Sequence, residues 1–149
     1  MKEEFMKLAF ENAEKAFDLD EVPIGAVIVK DNNVISCGFN KKEVDCCVMA
    51  HAEIIAIKKA EEIIGNWRLD GCDIYVTLDP CPMCASAIKQ SRIKNVYSAL
   101  SNSDTNNAEI IKKIFSTDFV NSSVNFISDC DKKYSQELLK KFFEKQRNK

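Results

Sequence analysis

Two short segments hold residues able to do chemistry together: Ala50-His51-Ala52-Glu53 and Pro80-Cys81-Pro82-Met83-Cys84. His51 is the only histidine in the chain. Cys81 and Cys84 lie three apart, so at the start of a helix their thiols face one side, a turn apart. A helix N-terminus favours negative charge and lowers a thiol's pKa, which suits thiolate ligands. One imidazole and two thiolates supply three ligands of a tetrahedral zinc and leave the fourth position open. Zinc brings the pKa of a coordinated water to about 7, so a nucleophile is available near neutrality. Glu53, two residues beyond His51, would sit beside that water without ligating the metal, placed to take a proton and return it.

Each piece has an ordinary explanation when taken alone. A lone histidine is usually a surface or satisfied core residue, and Cys-x-x-Cys also serves redox chemistry or a structural zinc knuckle. A closed four-cysteine site could recruit Cys46 and Cys47 with Cys81 and Cys84, leaving Glu53 without a task. The combination carries the weight. His-x-Glu at one helix start and Pro-Cys-x-x-Cys at another, each following a strand, is the pattern of zinc-dependent nucleobase deaminases.

The elements that must position these residues can be read from periodicity. Phe5, Met6, Ala9, Phe10, Ala13 and Phe17 recur at helical spacing, predicting an amphipathic helix over Lys2 to Phe17. Pro23 and Gly25 punctuate the chain before a buried strand, Ala26 to Val29, and Asp31-Asn32-Asn33 turns it into a second, Val34 to Phe39. A loop from Asn40 to Met49 leads into a helix from about Ala50 to Ile64, ended by Gly65-Asn66. Asp73 to Leu78 reads as a third strand, Cys81 to Gln90 as a helix, and Asn95 to Ala99 as a fourth strand. Beyond the polar stretch Ser101 to Asn107, a short helix is expected near Glu109 to Phe115 and a fifth strand at Val124 to Ile127. The last helix places Leu138, Leu139, Phe142 and Phe143 on one face. This alternation predicts an α/β fold, a three-layer sandwich with a mixed five-stranded sheet flanked by helices.

The 149 residues suit a single domain, 1–149. With 46% hydrophobic and 30% charged residues, wholesale disorder is excluded. No apolar run approaches the roughly 18–20 residues of a membrane span. The acidic start, Met1-Lys2-Glu3-Glu4, has no apolar segment of the secretory kind, which makes the expected location cytoplasmic. Seven cysteines in a reducing compartment point to metal rather than a disulfide framework. Cys46 and Cys47 read equally as redox-sensitive thiols or small buried residues. The net charge of −2 hides a basic tail: Lys132 to Lys149 carries +5 and the rest −7. Such a tail fits a polyanion partner or a solvated terminal helix.

Taken with Glu21-Val22-Pro23-Ile24-Gly25-Ala26-Val27, Gly38-Phe39-Asn40, Asn66-Trp67-Arg68-Leu69, Ser91-Arg92-Ile93 and Leu138-Leu139-Lys140-Lys141-Phe142-Phe143, these motifs resemble the cytidine deaminase superfamily, in particular the bacterial tRNA-specific adenosine deaminases. The resemblance implies one zinc per subunit on His51, Cys81 and Cys84, with Glu53 as proton shuttle. It implies that Asn40 hydrogen-bonds the flipped base or its ribose, with Ala52, Ser101 and Phe142 as further substrate contacts. The activity implied is hydrolysis of the wobble adenosine of a tRNA anticodon to inosine, with ammonia released, by a homodimer. Cys47-Val48-Met49 departs from the Asp-Pro-Thr of many relatives. Ser101 stands where tRNA-editing relatives carry an acid, which Asp104 could replace only if its loop shifts. These departures keep open a second expectation, a deaminase of a free base or nucleoside. From a different class, a zinc-stabilised binding module is also open, although it would have no use for Glu53.

Overall fold

The first two central strands carry apolar side chains on both faces, so each must be covered from above and below. In the computed structural model, which describes Met1–Lys149, β1 (Gly25–Lys30) sends Ala26 and Ile28 to one side and Val27 and Val29 to the other. β3 (Cys72–Val76) divides likewise, Ile74 and Val76 against Tyr75. The first side packs on α2 (Ala52–Ile64), α3 (Pro82–Gln90) and α4 (Thr105–Ser116). The second packs on α1 (Glu3–Asp18) through Phe5, Met6, Ala9 and Phe10. β2 (Asn33–Phe39), β4 (Asn95–Ser98), β5 (Asn125–Ile127) and α5 (Lys132–Arg147) complete the three layers.

The sheet order is β2-β1-β3-β4-β5. β1 is antiparallel to both β2 and β3, while β3, β4 and β5 run parallel. Strands β2, β3, β4 and β5 therefore all point one way. The segments that follow them (Asn40 onward, Leu78 to Cys81, Ala99 to Ser101, Ser128 and Asp129) gather at one edge, where open α/β sheets place their ligands. The mixed five-stranded sandwich expected from the sequence is thus the observed architecture.

Boundaries differ where polar side chains act on the backbone. α2 starts at Ala52 rather than Ala50, with His51 as its N-cap. β3 stops at Val76, short of Leu78. The polar stretch ahead of Glu109 is half helix: Asp104 caps α4 by accepting the Asn106 N–H, so the helix begins at Thr105. A 3-10 turn, Phe119–Asn121, was without a sequence signal. Gly65 ends α2 as expected, in the left-handed region at φ 77°. No helix is long and apolar enough to cross a membrane.

Gly38 sets how closely β2 lies beneath α2. A Cβ there would stand 2.4 Å from the Ala52 carbonyl oxygen and 2.8 Å from the Ala56 nitrogen. Both are backbone atoms and cannot swing aside. Gly38→Ala should lower stability by about 1–3 kcal/mol, the usual range for overpacking, and displace the first turn of α2. Urea unfolding checks this, and a midpoint equal to that of the unaltered protein would refute it.

The basic α5 lies along α1. Phe142 packs edge-on against Phe17, and the Tyr134 hydroxyl donates to Glu14. Lys145 and Lys149 reach Asp20 at 3.0 and 2.8 Å. Hydrogen bonds from Lys149 and then Lys145 hold the Asp20 carboxyl down at about 2. Its folded value lies below the unfolded one, so this tie is complete above about pH 4 and is lost as the pH falls towards 2. Asp20 is exposed, so the effect is local. NMR should show the last turn of α5 fraying over that window, and fraying already at neutrality in Asp20→Asn. An equally ordered turn in both proteins would count against the tie.

Candidate active site and metal centre

α2 and α3 both begin at the ligand edge of the sheet, and each presents a would-be ligand as its N-cap. His51 stands at the N-cap of α2 and Cys81 at that of α3, and neither makes a side-chain capping hydrogen bond. Cys84 follows in the first turn of α3, fully buried. His51, Cys81 and Cys84 offer ligand atoms that all lie within 4.8 Å of one another. His51 Nδ1 stands 3.6 Å from Cys81 Sγ and 3.5 Å from Cys84 Sγ.

These distances test the fit of a metal. A tetrahedron with zinc–sulfur and zinc–nitrogen bonds of about 2.3 and 2.0–2.1 Å has N···S edges of about 3.6 Å. The protein shows that edge twice. No fourth protein donor joins the group, so a tetrahedral ion would keep one position for water or substrate. Cys46, which is exposed and donates to the Glu43 carbonyl, lies outside the group, as does Cys47, so the closed four-cysteine site is overturned.

The electrostatics agree with the geometry. A hydrogen bond from Cys84, helped by the His51 ring, holds the Cys81 thiol down at about 4. Cys84 is pushed far up, by its hydrogen bond to Cys81 and by burial. His51 is raised, chiefly by its hydrogen bond to Cys81. The three groups thus share protons that a dication would displace. Glu53 is 4% exposed, and burial drives its carboxyl up to about 7, although its own backbone N–H at the start of α2 pulls the other way. A carboxyl poised near neutrality beside a water-binding metal is suited to passing protons.

Among the expected substrate contacts, Asn40 stands at the site. Its Oδ1 accepts the Ala52 N–H at 2.9 Å, satisfying a first-turn donor of α2, while its Nδ2 has no protein partner. Ala52 is fully buried, with its N–H bonded to Asn40. Phe142 is 6% exposed against Phe17, whereas its neighbour Phe143 is 50% exposed and free to stack. Ser101 lies half-buried at the ligand edge with its N–H bonded to Asp129 Oδ1 at 2.8 Å. Asp104 is committed to capping α4 and does not replace the missing loop acid. Asp129 is the carboxylate beside Ser101, and Asp79 accepts from Ser128 at 2.6 Å and Asn102 at 3.4 Å. Neither acid was legible as a site residue, because both act across long sequence separations.

The likeness to known proteins runs the length of the chain. A family model described as MafB19-like deaminase matches residues 1–147. The tRNA-specific adenosine deaminase of Agrobacterium fabrum is 40% identical over 143 residues, 96% of this chain and 94% of that protein. That of Aquifex aeolicus is 39% identical over 150 residues, 99% and 97% of the two chains. A solved structure from work on A-to-I editing by tRNA:A34 deaminases at the wobble position superposes with a TM-score of 0.85. It is 39% identical and covers 92% of this chain and 99% of its own. The guanine deaminase of Bacillus subtilis is 31% identical, covers 100% and 96% of the two chains, and gives 0.67. Because these matches take in every element that builds the site, and not the ligand segments alone, the chain belongs to the MafB19-like deaminase family.

Proposed function

We propose that this protein is a zinc-dependent hydrolytic deaminase that converts the wobble adenosine of a tRNA anticodon to inosine, releasing ammonia. The observation that carries the reading is the triangle of His51, Cys81 and Cys84 with Glu53 buried near it, in a chain 40% and 39% identical over nearly its full length to two tRNA-specific adenosine deaminases. His51, Cys81 and Cys84 would hold the zinc, which when bound would supply a Lewis acid that lets water ionise near neutrality. Glu53 takes one proton from the attacking water and hands it to the ring nitrogen as oxygen adds at C6, then carries the remaining proton of the new C6 hydroxyl to the amine, which leaves as ammonia as the C6 carbonyl forms. Asn40 donates from Nδ2 to the base or its ribose, which fixes the ring against the attacking oxygen. Ser101, on a loop tethered to Asp129 through its N–H, is read as a further substrate contact.

Inosine formed in an anticodon stem-loop bearing a wobble adenosine would support this substrate. Ammonia from free guanine or a nucleoside, with the RNA untouched, would replace it with the second reading. That reading draws on the 31% identity to the Bacillus subtilis guanine deaminase.

The basic α5 is read as the phosphate-facing element. Lys140 and Lys141 are exposed and make no ion pair, unlike Lys145 and Lys149. Charge reversal at both should weaken stem-loop binding and lower its salt slope by about one to two units. An unchanged slope would make α5 a packing helix only. Deleting the helix is a poorer test, since it strips Phe142 and Ser135 from buried positions. Exposed Ile63, Ile110 and Phe119 on the α2/α4 side are consistent with a homodimer, which light scattering would show as twice 16.9 kDa.

A further inference from the structure

The stretch from β2 to α2, residues 40–51, contains neither helix nor strand, yet it begins at Asn40 and ends at His51. Its shape therefore sets where both side chains stand. Asn40 N–H bonds Ile24 O at 3.2 Å, and within residues 41–50 the backbone bonds are local: Asp45 N–H to Lys41 O at 2.8 Å, Cys47 N–H to Lys42 O at 3.0 Å, and Lys41 N–H to Ala50 O at 2.9 Å closing the base. Val44, Val48 and Met49 are exposed and anchor nothing.

A single side chain from elsewhere bonds residues 41–49. Glu21 Oε1 accepts the Glu43 N–H at 3.0 Å and Oε2 accepts the Val44 N–H at 2.8 Å. Glu21 is 2% exposed. Its own N–H bonds to Ala16 O at 2.9 Å, past Asp20 at φ 60°, a left-handed closure of α1. The carboxylate is thus mounted on a helix end, and its charge is satisfied by two successive amides of the loop.

We propose that Glu21 is a positioning residue for the reaction: its two-point grip on Glu43 and Val44 holds the loop in the shape that keeps Asn40 Nδ2 turned to the substrate. This role rests on the deaminase reading. Glu21 touches no reacting atom and acts through Asn40 and the loop wall, so its loss should fall on substrate binding more than on turnover.

Glu21→Gln keeps the size and one acceptor but turns an amide NH₂ towards the second loop N–H. Glu21→Ala removes both acceptors. Kinetics are measured on the zinc-loaded full chain, with whichever of the anticodon stem-loop and the free bases the unaltered protein deaminates. Amide exchange of residues 41–49 is followed in parallel and needs no turnover. The expected result is exchange at Glu43 and Val44 faster by about tenfold or more, with KM raised about tenfold. The metal content is expected to stay the same and kcat to change by less than about threefold, with Glu21→Ala more affected than Glu21→Gln. Faster exchange with an unchanged KM would make Glu21 only a stabiliser of the loop and overturn the proposal. Unchanged exchange would overturn it too, as would a loss confined to kcat. If the unaltered protein deaminates a free base but not RNA, the tRNA assignment falls while the Glu21 test stands. If it deaminates nothing, the deaminase reading falls and takes the positioning role with it.

Discussion

Glu53→Gln should keep the zinc and lose the reaction. The substitution preserves the volume of a buried side chain and removes only its capacity to carry a proton. General acid–base groups contribute about 10²–10⁴ in rate, and the proposed route gives Glu53 more than one proton transfer, so the upper end of that range is expected. Zinc content should remain one ion per chain, because Glu53 does not belong to the ligand group. The melting temperature should not fall, since an ionisable group buried without a salt bridge is replaced by a neutral one. Single-turnover assays with metal analysis on the same sample decide it. Undiminished ammonia release would remove Glu53 from the chemistry. Zinc lost together with activity would instead make it part of the metal's support.

Removing the metal should cost activity and stability together. His51, Cys81 and Cys84 are drawn from two helix starts that meet only in the folded chain. An ion bound there stabilises the native state by mass action, about 4 kcal/mol when free metal stands a thousandfold above its Kd. For a chain of this length that corresponds to a fall in Tm on the order of 10 °C on chelation. Cys84→Ala should behave like the chelated protein and should not recover on adding zinc. In the metal-free protein, deamination should drop to background and return with zinc. A chelated protein that keeps both its Tm and its activity would show that the triangle holds no functional metal.

The ligand segments are legible in the sequence because metal chemistry demands particular residue types at particular spacings, and both spacings are local. The strands and helices are legible because apolar residues repeat at 2 or 3.6, and the hairpin at Asp31-Asn32 confirms the register at which the sheet begins. Periodicity is silent about polar side chains that turn back on the backbone. Asp104 starts α4 four residues ahead of the apolar pattern. Glu21 looks like part of a loop until the Glu43 and Val44 amides are seen on it, more than twenty residues away. Lys89 falls in the last turn of α3 as a charged residue and would be given to solvent. It is fully buried, donating to the Phe115 and Thr117 carbonyls at the end of α4. Phe142 and Phe143 are adjacent aromatics, and adjacency alone does not say which turns inward. Tertiary packing against Phe17 chose Phe142.

Asn40 also bears on how the enzyme's preference can be altered by directed evolution. One end of its amide completes the first turn of α2 and the other, Nδ2, has no protein partner and is the end proposed to meet the substrate. Replacing it to accept a different base would free the Ala52 N–H at the very turn that carries His51 and Glu53, a penalty of about 0.5–2 kcal/mol if helix-capping losses are a guide. Ser101 is built differently: what anchors it is mainly its backbone N–H on Asp129, which survives a change of side chain. Selection for a new substrate should therefore accumulate replacements at Ser101 and its neighbours while leaving Asn40 in place.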